Sequence, residues 1–131
     1  MIVDASAVIA VLRDEADAER FAQAMARAAK RRISAVNYVE AAAVIDGSKD
    51  PIASRRFDDF MREAEMEIVA VTQTQAKLAR EAYRDFGKGS GHAARLSLGD
   101  CFAYALARES GEPLLFKGTE FAKTDLGSGM E

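Results

Sequence analysis

Four acidic residues, Asp4, Glu40, Asp100 and Glu120, carry the chemistry this sequence can offer. Asp4 follows directly on the strand-like run Met1-Ile2-Val3, and Glu120 comes two residues after Gly118, which closes the apolar run Leu114 to Lys117. Glu40 has Val36 and Val44 four residues away and Asn37 and Ala43 three away, a predominantly apolar helix face. An ionised carboxylate there costs several kcal/mol unless a cation or hydrogen-bond donors satisfy it. Asp100 stands in the first turn of a helical pattern running from Ser97 to Glu109. Each acid alone has a plain alternative: Asp4 as a helix cap, Glu40 on a rotated helix reaching solvent, Asp100 complementing a helix dipole, Glu120 as loop surface. Separate roles of that kind do not require the four to meet. Carboxylates about 4 Å apart repel by several kcal/mol even at an effective dielectric near 20, so acids that converge must bind protons or metal. With no His or Cys beside them, an all-oxygen set suits Mg²⁺, with Mn²⁺ as its substitute.

Convergence depends on the elements. Short apolar runs alternate with helical patterns throughout, the signature of a mainly parallel sheet between helices, an α/β fold in three layers. The pattern predicts a first strand over residues 1–3 and a short helix over 7–12 capped by Ser6. An Ala-rich helix over about 16–30 and a brief strand over 32–35 come next, then a helix from Val36 ended by Gly47. A helix beginning at Pro51, a strand over 67–71 and a helix opened by Thr72-Gln73-Thr74-Gln75 at capping-box spacing follow. After the loop Gly87 to His92 come the helix over 97–109 and a last strand over 114–116. In open parallel sheets the ligand crevice lies outside the carboxyl ends of the strands, which is where Asp4 and Glu120 fall.

Composition bounds the reading. The 131 residues, 49% of them hydrophobic, suit one domain over residues 1–126, with a Gly/Ser-rich tail over 127–131 expected to fray. No apolar stretch approaches the roughly 20 residues of a membrane span, so a soluble, cytoplasmic protein with no membrane association is expected. The single Cys101 allows no internal disulfide, and no CxxC or Cys/His grouping offers a zinc site. Eighteen Lys and Arg against 21 Asp and Glu give a net charge of −3, so contact with nucleic acid would rest on local patches, at Lys30-Arg31-Arg32, Arg55-Arg56 and around Lys88, or on metal.

Four segments together resemble a known family: Ile2-Val3-Asp4-Ala5-Ser6-Ala7, Ser34-Ala35-Val36-Asn37-Tyr38-Val39-Glu40, Leu96-Ser97-Leu98-Gly99-Asp100-Cys101, and Leu115-Phe116-Lys117-Gly118-Thr119-Glu120-Phe121. Their order, spacing and flanking hydrophobics resemble the PIN-domain ribonucleases of the VapC toxin type from Met1 to about Leu126. The resemblance implies a metal-dependent endoribonuclease with Asp4, Glu40 and Asp100 as metal-binding acids. It also implies an RNA substrate, a VapB-type antitoxin partner and a homodimer. The family usually carries Asp in the loop after the last strand, where this chain has Glu120, one methylene longer. Asp125 is a second acid of that region that could share the role. Ser6 and Thr119 are hydroxyls able to support the metal site or contact phosphate, with a capping role weighed for Ser6 as well.

Two other readings compete. A receiver-type signalling domain shares the size and the strand-end acids, and Lys117 would suit it, but it needs an adjacent acidic pair after the first strand and an acceptor Asp after a central one. A catalytically inactive PIN-fold binding module differs in having no reason to keep metal binding. The Gly87 to His92 loop lacks the Gly-Lys-Ser/Thr ending of a phosphate-binding P-loop.

Overall fold

Each strand of this protein is short, and side-chain alternation along it decides what lies on either side of the sheet. The computed structural model describes residues 1–126. The expected tail over 127–131 lies outside the described residues. Strand β1 (Ile2–Val3) pairs in parallel with β2 (Arg31–Ser34) on one side and β4 (Leu114–Leu115) on the other. Strand β3 (Met66–Val69) pairs in parallel with β2, giving the order β3-β2-β1-β4. Val3, Ile33 and Leu115 enter one core with residues of α1 (Ala5–Leu12), α2 (Ala18–Arg27), α3 (Ala35–Asp46) and α4 (Pro51–Glu63). Ile2 and Leu114 point the other way, into a core built from α5 (Gln73–Phe86) and α6 (Leu98–Ser110). The expected α/β arrangement of a parallel sheet between two helical layers is therefore present.

Several boundaries differ from the sequence expectation, for local reasons. Asp4, not Ser6, caps α1: its Oδ2 accepts from the Ser6 amide at 3.0 Å, so the helix starts at Ala5. The second helix begins only at Ala18, because Asp14 takes a left-handed φ of 51° and residues 13–17 form turns first. Strand β3 stops at Val69 rather than 71, since its partner β2 ends at Ser34, whose hydroxyl caps α3. The Thr72 hydroxyl accepts from the Gln75 amide at 3.1 Å, but the reciprocal half of the capping box is missing and Gln75 Oε1 is buried without a partner. Among the described residues no helix is long and apolar enough to cross a membrane.

At the amino end of the sheet, the amino group of Met1 donates to Glu112 at 2.6 Å, and Arg32 pairs with the other oxygen of the same carboxylate. The carboxyl end, where Asp4, Ser34 and the loop after β4 emerge, has a different character.

Candidate active site

Asp4 leaves β1 and is at once the cap of α1, so its carboxylate is fixed where strand passes to helix. The residue is almost fully buried. Its Oδ2 accepts from the Ser6 amide at 3.0 Å and from the Ser6 hydroxyl at 2.6 Å, while Oδ1 is buried with no partner among the described residues. The Ser6 hydroxyl in turn accepts from the amide of Lys117 at 2.9 Å, which ties the loop after β4 to Asp4. Burial pushes the Asp4 carboxyl up to about 7; the two Ser6 hydrogen bonds oppose that rise, and the charges of Asp100 and Glu40 add to it.

Glu40 comes from the second turn of α3. The buried stripe of that helix is Asn37, Ala41 and Ile45, whereas Val44 is exposed, so Glu40 stands at the edge of the apolar face rather than in its middle. Its carboxylate lies against Gly99 so closely that a Cβ there would fall 2.1 Å from Oε2. Asn37 donates to Glu40 Oε1 at 3.3 Å and to the Gly99 carbonyl at 3.0 Å. Partial burial raises the Glu40 carboxyl, the Asn37 hydrogen bond opposes the rise, and the charge of Asp100 adds to it.

Asp100 lies in the first turn of α6, where Ser97 and Asp100 form a full capping box: the Ser97 hydroxyl accepts from the Asp100 amide at 3.2 Å and Asp100 Oδ2 accepts from the Ser97 amide at 2.9 Å. The box spends one Asp100 carboxylate oxygen on the helix start. Asp4, Glu40 and Asp100 are thus mutual electrostatic neighbours, drawn from the cap of α1, the second turn of α3 and the first turn of α6. Among the described residues none of them forms an ion pair with a Lys, Arg or His. Lys117, in the loop after β4, turns its ammonium to Glu15 and Asp17.

The two remaining acids are placed differently. Glu120 sits after β4 with its carboxylate folded back over Gly118, whose φ of 110° and lack of Cβ make the room. It contributes to neither the Asp4 nor the Glu40 shift. Asp125 accepts from the Tyr104 hydroxyl at 2.8 Å and pairs with Arg108 at 3.0 Å, toward the far end of α6 from Asp100. Thr119 is exposed in the loop beside Glu120. A groove of about 510 Å³ between α2 and α4, lined by Met25, Arg31, Phe60 and Glu63 among others, contains none of these acids.

Two members of this arrangement were not singled out by type or position in the sequence. Asn37 reads there only as a helix-face residue, although its spacing of three from Glu40 is the spacing at which helical side chains meet. Gly99 reads as a residue inside a helix pattern, and only the approach of Glu40 explains why it carries no side chain.

The model of the PIN domain family matches residues 1–126. This chain belongs to the PIN-domain family. Among curated relatives, Ribonuclease VapC28 of Mycobacterium tuberculosis is 54% identical over 124 residues, which covers 95% of this chain and 93% of that protein. The crystal structure of Mycobacterium tuberculosis VapC20, described as a sarcin-ricin loop cleaving toxin, superposes with a TM-score of 0.74 at 16% identity and covers 95% of both chains. A toxin-antitoxin complex from Klebsiella pneumoniae matches with a TM-score of 0.68 at 20% identity, over 92% of this chain and 89% of that one. The likeness to VapC28 places the chain with the VapC ribonucleases; the structural likenesses confirm the fold. The receiver-type alternative is thereby set aside.

A PIN domain's acids call for a test of fit against a divalent cation. The donor set here is oxygen only, Asp4 Oδ1 is buried without a partner, and three coupled carboxylates have no basic residue among them. That set fits a hard divalent ion. As the side chains stand, no three acid, His or Cys residues among the described ones lie close enough together to hold a metal ion.

Proposed function

We propose that this chain is a metal-dependent endoribonuclease, the toxin of a type II toxin–antitoxin pair, hydrolysing RNA phosphodiester bonds at the cluster of Asp4, Glu40 and Asp100. The observation that carries the reading is the uncompensated carboxylate cluster at the carboxyl end of the parallel sheet, with a buried, partnerless oxygen on Asp4. Kinship with VapC ribonucleases over nearly the whole chain supports the reaction class.

In this reading Asp4, Glu40 and Asp100 hold Mg²⁺, or Mn²⁺ in its place, directly or through water, and Glu120 joins from the β4 loop. The bound cation would supply the Lewis acidity that lowers the pKa of a water and stabilises charge on the scissile phosphate. Ser6 orients Asp4 through its amide and hydroxyl and transmits the position of the β4 loop through its bond to Lys117. Asp100 is oriented by Ser97. Thr119, exposed beside Glu120, would contact a phosphate. We further propose a VapB-type antitoxin partner, in line with the toxin-antitoxin complex of similar fold, a homodimeric assembly and a cytoplasmic location.

The test is cleavage of a mixed structured RNA by purified, antitoxin-free protein in Mg²⁺ or Mn²⁺ and again in EDTA, with Asp4→Asn as control. Cutting that requires metal and disappears in the variant is the expected result. If no metal supports cutting and calorimetry detects no metal binding, the inactive binding module takes the place of this reading.

A further inference from the structure

Asn37 is fully buried in the structure, yet only half of its amide is used. Nδ2 donates to the Gly99 carbonyl at 3.0 Å and to Glu40 Oε1 at 3.3 Å, and Oδ1 is buried with no hydrogen-bond partner among the described residues. A buried amide oxygen left without a donor costs about 1–3 kcal/mol, so a residue that served packing alone would be better apolar. The Gly99 carbonyl does not need the bond either. It lies in the first turn of α6, where an intrahelical acceptor role toward residue 103 is already open to it. What the side chain does accomplish is to join α3 to the start of α6 and to hold one Glu40 oxygen while Gly99 receives the other. The absence of a Cβ at Gly99, 2.1 Å from where Glu40 Oε2 rests, is the second half of the same clasp.

We infer that Asn37 and Gly99 form a clasp that positions Glu40 beside Asp100 for metal binding, with Asn37 acting as a positioning residue and not as a ligand. The inference rests on the metal-dependent reading above and adds to it the groups that set the place of one ligand. Residues that orient metal ligands typically alter metal affinity by about 10–100-fold when removed. The clasp differs from a structural bond in a way that can be measured. Replacing Asn37 by leucine removes a partnerless buried oxygen along with the donor, so folding should be unharmed while Glu40 loses its place.

The experiment is calorimetric titration of the full chain with Mn²⁺, alongside thermal unfolding in EDTA, for the parent, Asn37→Leu, Gly99→Ala and each of these combined with Glu40→Gln. Asn37→Leu and Gly99→Ala are each expected to weaken Mn²⁺ binding about tenfold, with melting temperatures in EDTA at or above that of the parent for the first and close to it for the second. In the Glu40→Gln background neither substitution should weaken binding further, because the carboxylate they position is gone. Mn²⁺ affinity within twofold of the parent in both single variants would overturn the clasp while leaving the metal reading intact. Equal losses with and without the Glu40 carboxylate would also overturn it, since the effect would then run through the fold. A parent chain with no measurable Mn²⁺ affinity would overturn the metal reading and the clasp together.

Discussion

The two ends of one sheet treat charge in opposite ways. At the amino end Glu112 is met by two cations, the amino group of Met1 and the Arg32 guanidinium. Burial alone would raise the Glu112 carboxyl, but those hydrogen bonds and charges outweigh it and hold the group below its usual range. At the carboxyl end Asp4, Glu40 and Asp100 are electrostatic neighbours, no basic residue among the described ones pairs with any of them, and burial with mutual repulsion drives Asp4 and Glu40 upward. The same few strands support both arrangements, so the difference does not lie in the fold. It lies in whether the chain supplies the counter-charge itself or leaves it to something bound. A carboxylate satisfied within the chain is structural; one left unsatisfied in a buried place is stable only with a proton or a cation.

The contrast is broken most severely at the carboxyl end. Glu40→Gln removes one charge from the cluster while keeping the side chain's shape, and cleavage should fall by about 10²–10³-fold with the fold unchanged. Circular dichroism and RNA cleavage on the same preparation check both halves. Cutting at the parental rate would remove Glu40 from the site.

The reverse experiment is made at the amino end. Glu112→Gln strands two cations that now share a carboxylate, and hydrogen bonds to charged groups contribute about 1.5–3 kcal/mol, so unfolding should shift by about 2 kcal/mol. Urea unfolding measures it, and cleavage under native conditions should stay at the parental rate. An unmoved urea midpoint would show that the contrast between the two ends is only apparent.

Acidity sharpens the comparison. The Asp4 carboxyl rises from an ordinary 3.8 to about 7 in the folded chain. Through that window the folded state holds a proton that the unfolded state releases, so stability from this group falls as pH rises from about 4 to 7 and the full cost is felt above. Glu112 works in the other direction: its support is present above its unfolded value and is lost as pH falls through its lowered folded value. In EDTA, Asp4→Asn should therefore melt increasingly above the parent between pH 5 and pH 8, and Mg²⁺ should narrow the gap at pH 8. A constant difference across that range would mean that Asp4 is not a strained carboxylate.

Much of this was legible in the residues. The strand-end position of Asp4 and the first-turn position of Asp100 follow from local patterns, and a parallel sheet brings such ends to one edge. Local patterning was less able to settle which residue does the capping: Asp4 and Ser6 both suit the start of α1, and only the geometry assigns the cap to Asp4 and makes Ser6 the bridge to Lys117. The spacing of three hinted at the contact of Asn37 with Glu40, but the bond of Asn37 to Gly99 was not legible, because it arises where α3 meets α6, 62 residues apart in the chain. A helix period reports which face is apolar, not which neighbour stands opposite it. The same limit applied to Val44, placed on an apolar face by spacing and exposed in the fold.

The smallest expected effect separates the two acids that follow β4. Asp125 is already engaged at the far side of α6, with the Tyr104 hydroxyl and Arg108, and both it and Arg108 are well exposed. Exposed pairs of that kind contribute about 0–1 kcal/mol, so Asp125→Asn should change stability by no more than that and leave cleavage as it was. Glu120 has no such engagement among the described residues: its carboxylate rests over Gly118, on the loop that the Ser6 hydroxyl ties to Asp4. Glutamate there is one methylene longer than the aspartate usual in the family, and it extends from a loop whose position the Asp4 network already fixes. Glu120→Gln should accordingly lower cleavage several-fold, less than Glu40→Gln and more than Asp125→Asn. Parallel cleavage assays of the three variants give the order directly, and an Asp125→Asn loss exceeding that of Glu120→Gln would transfer the fourth position to Asp125 and require its bond to Arg108 to open during the reaction.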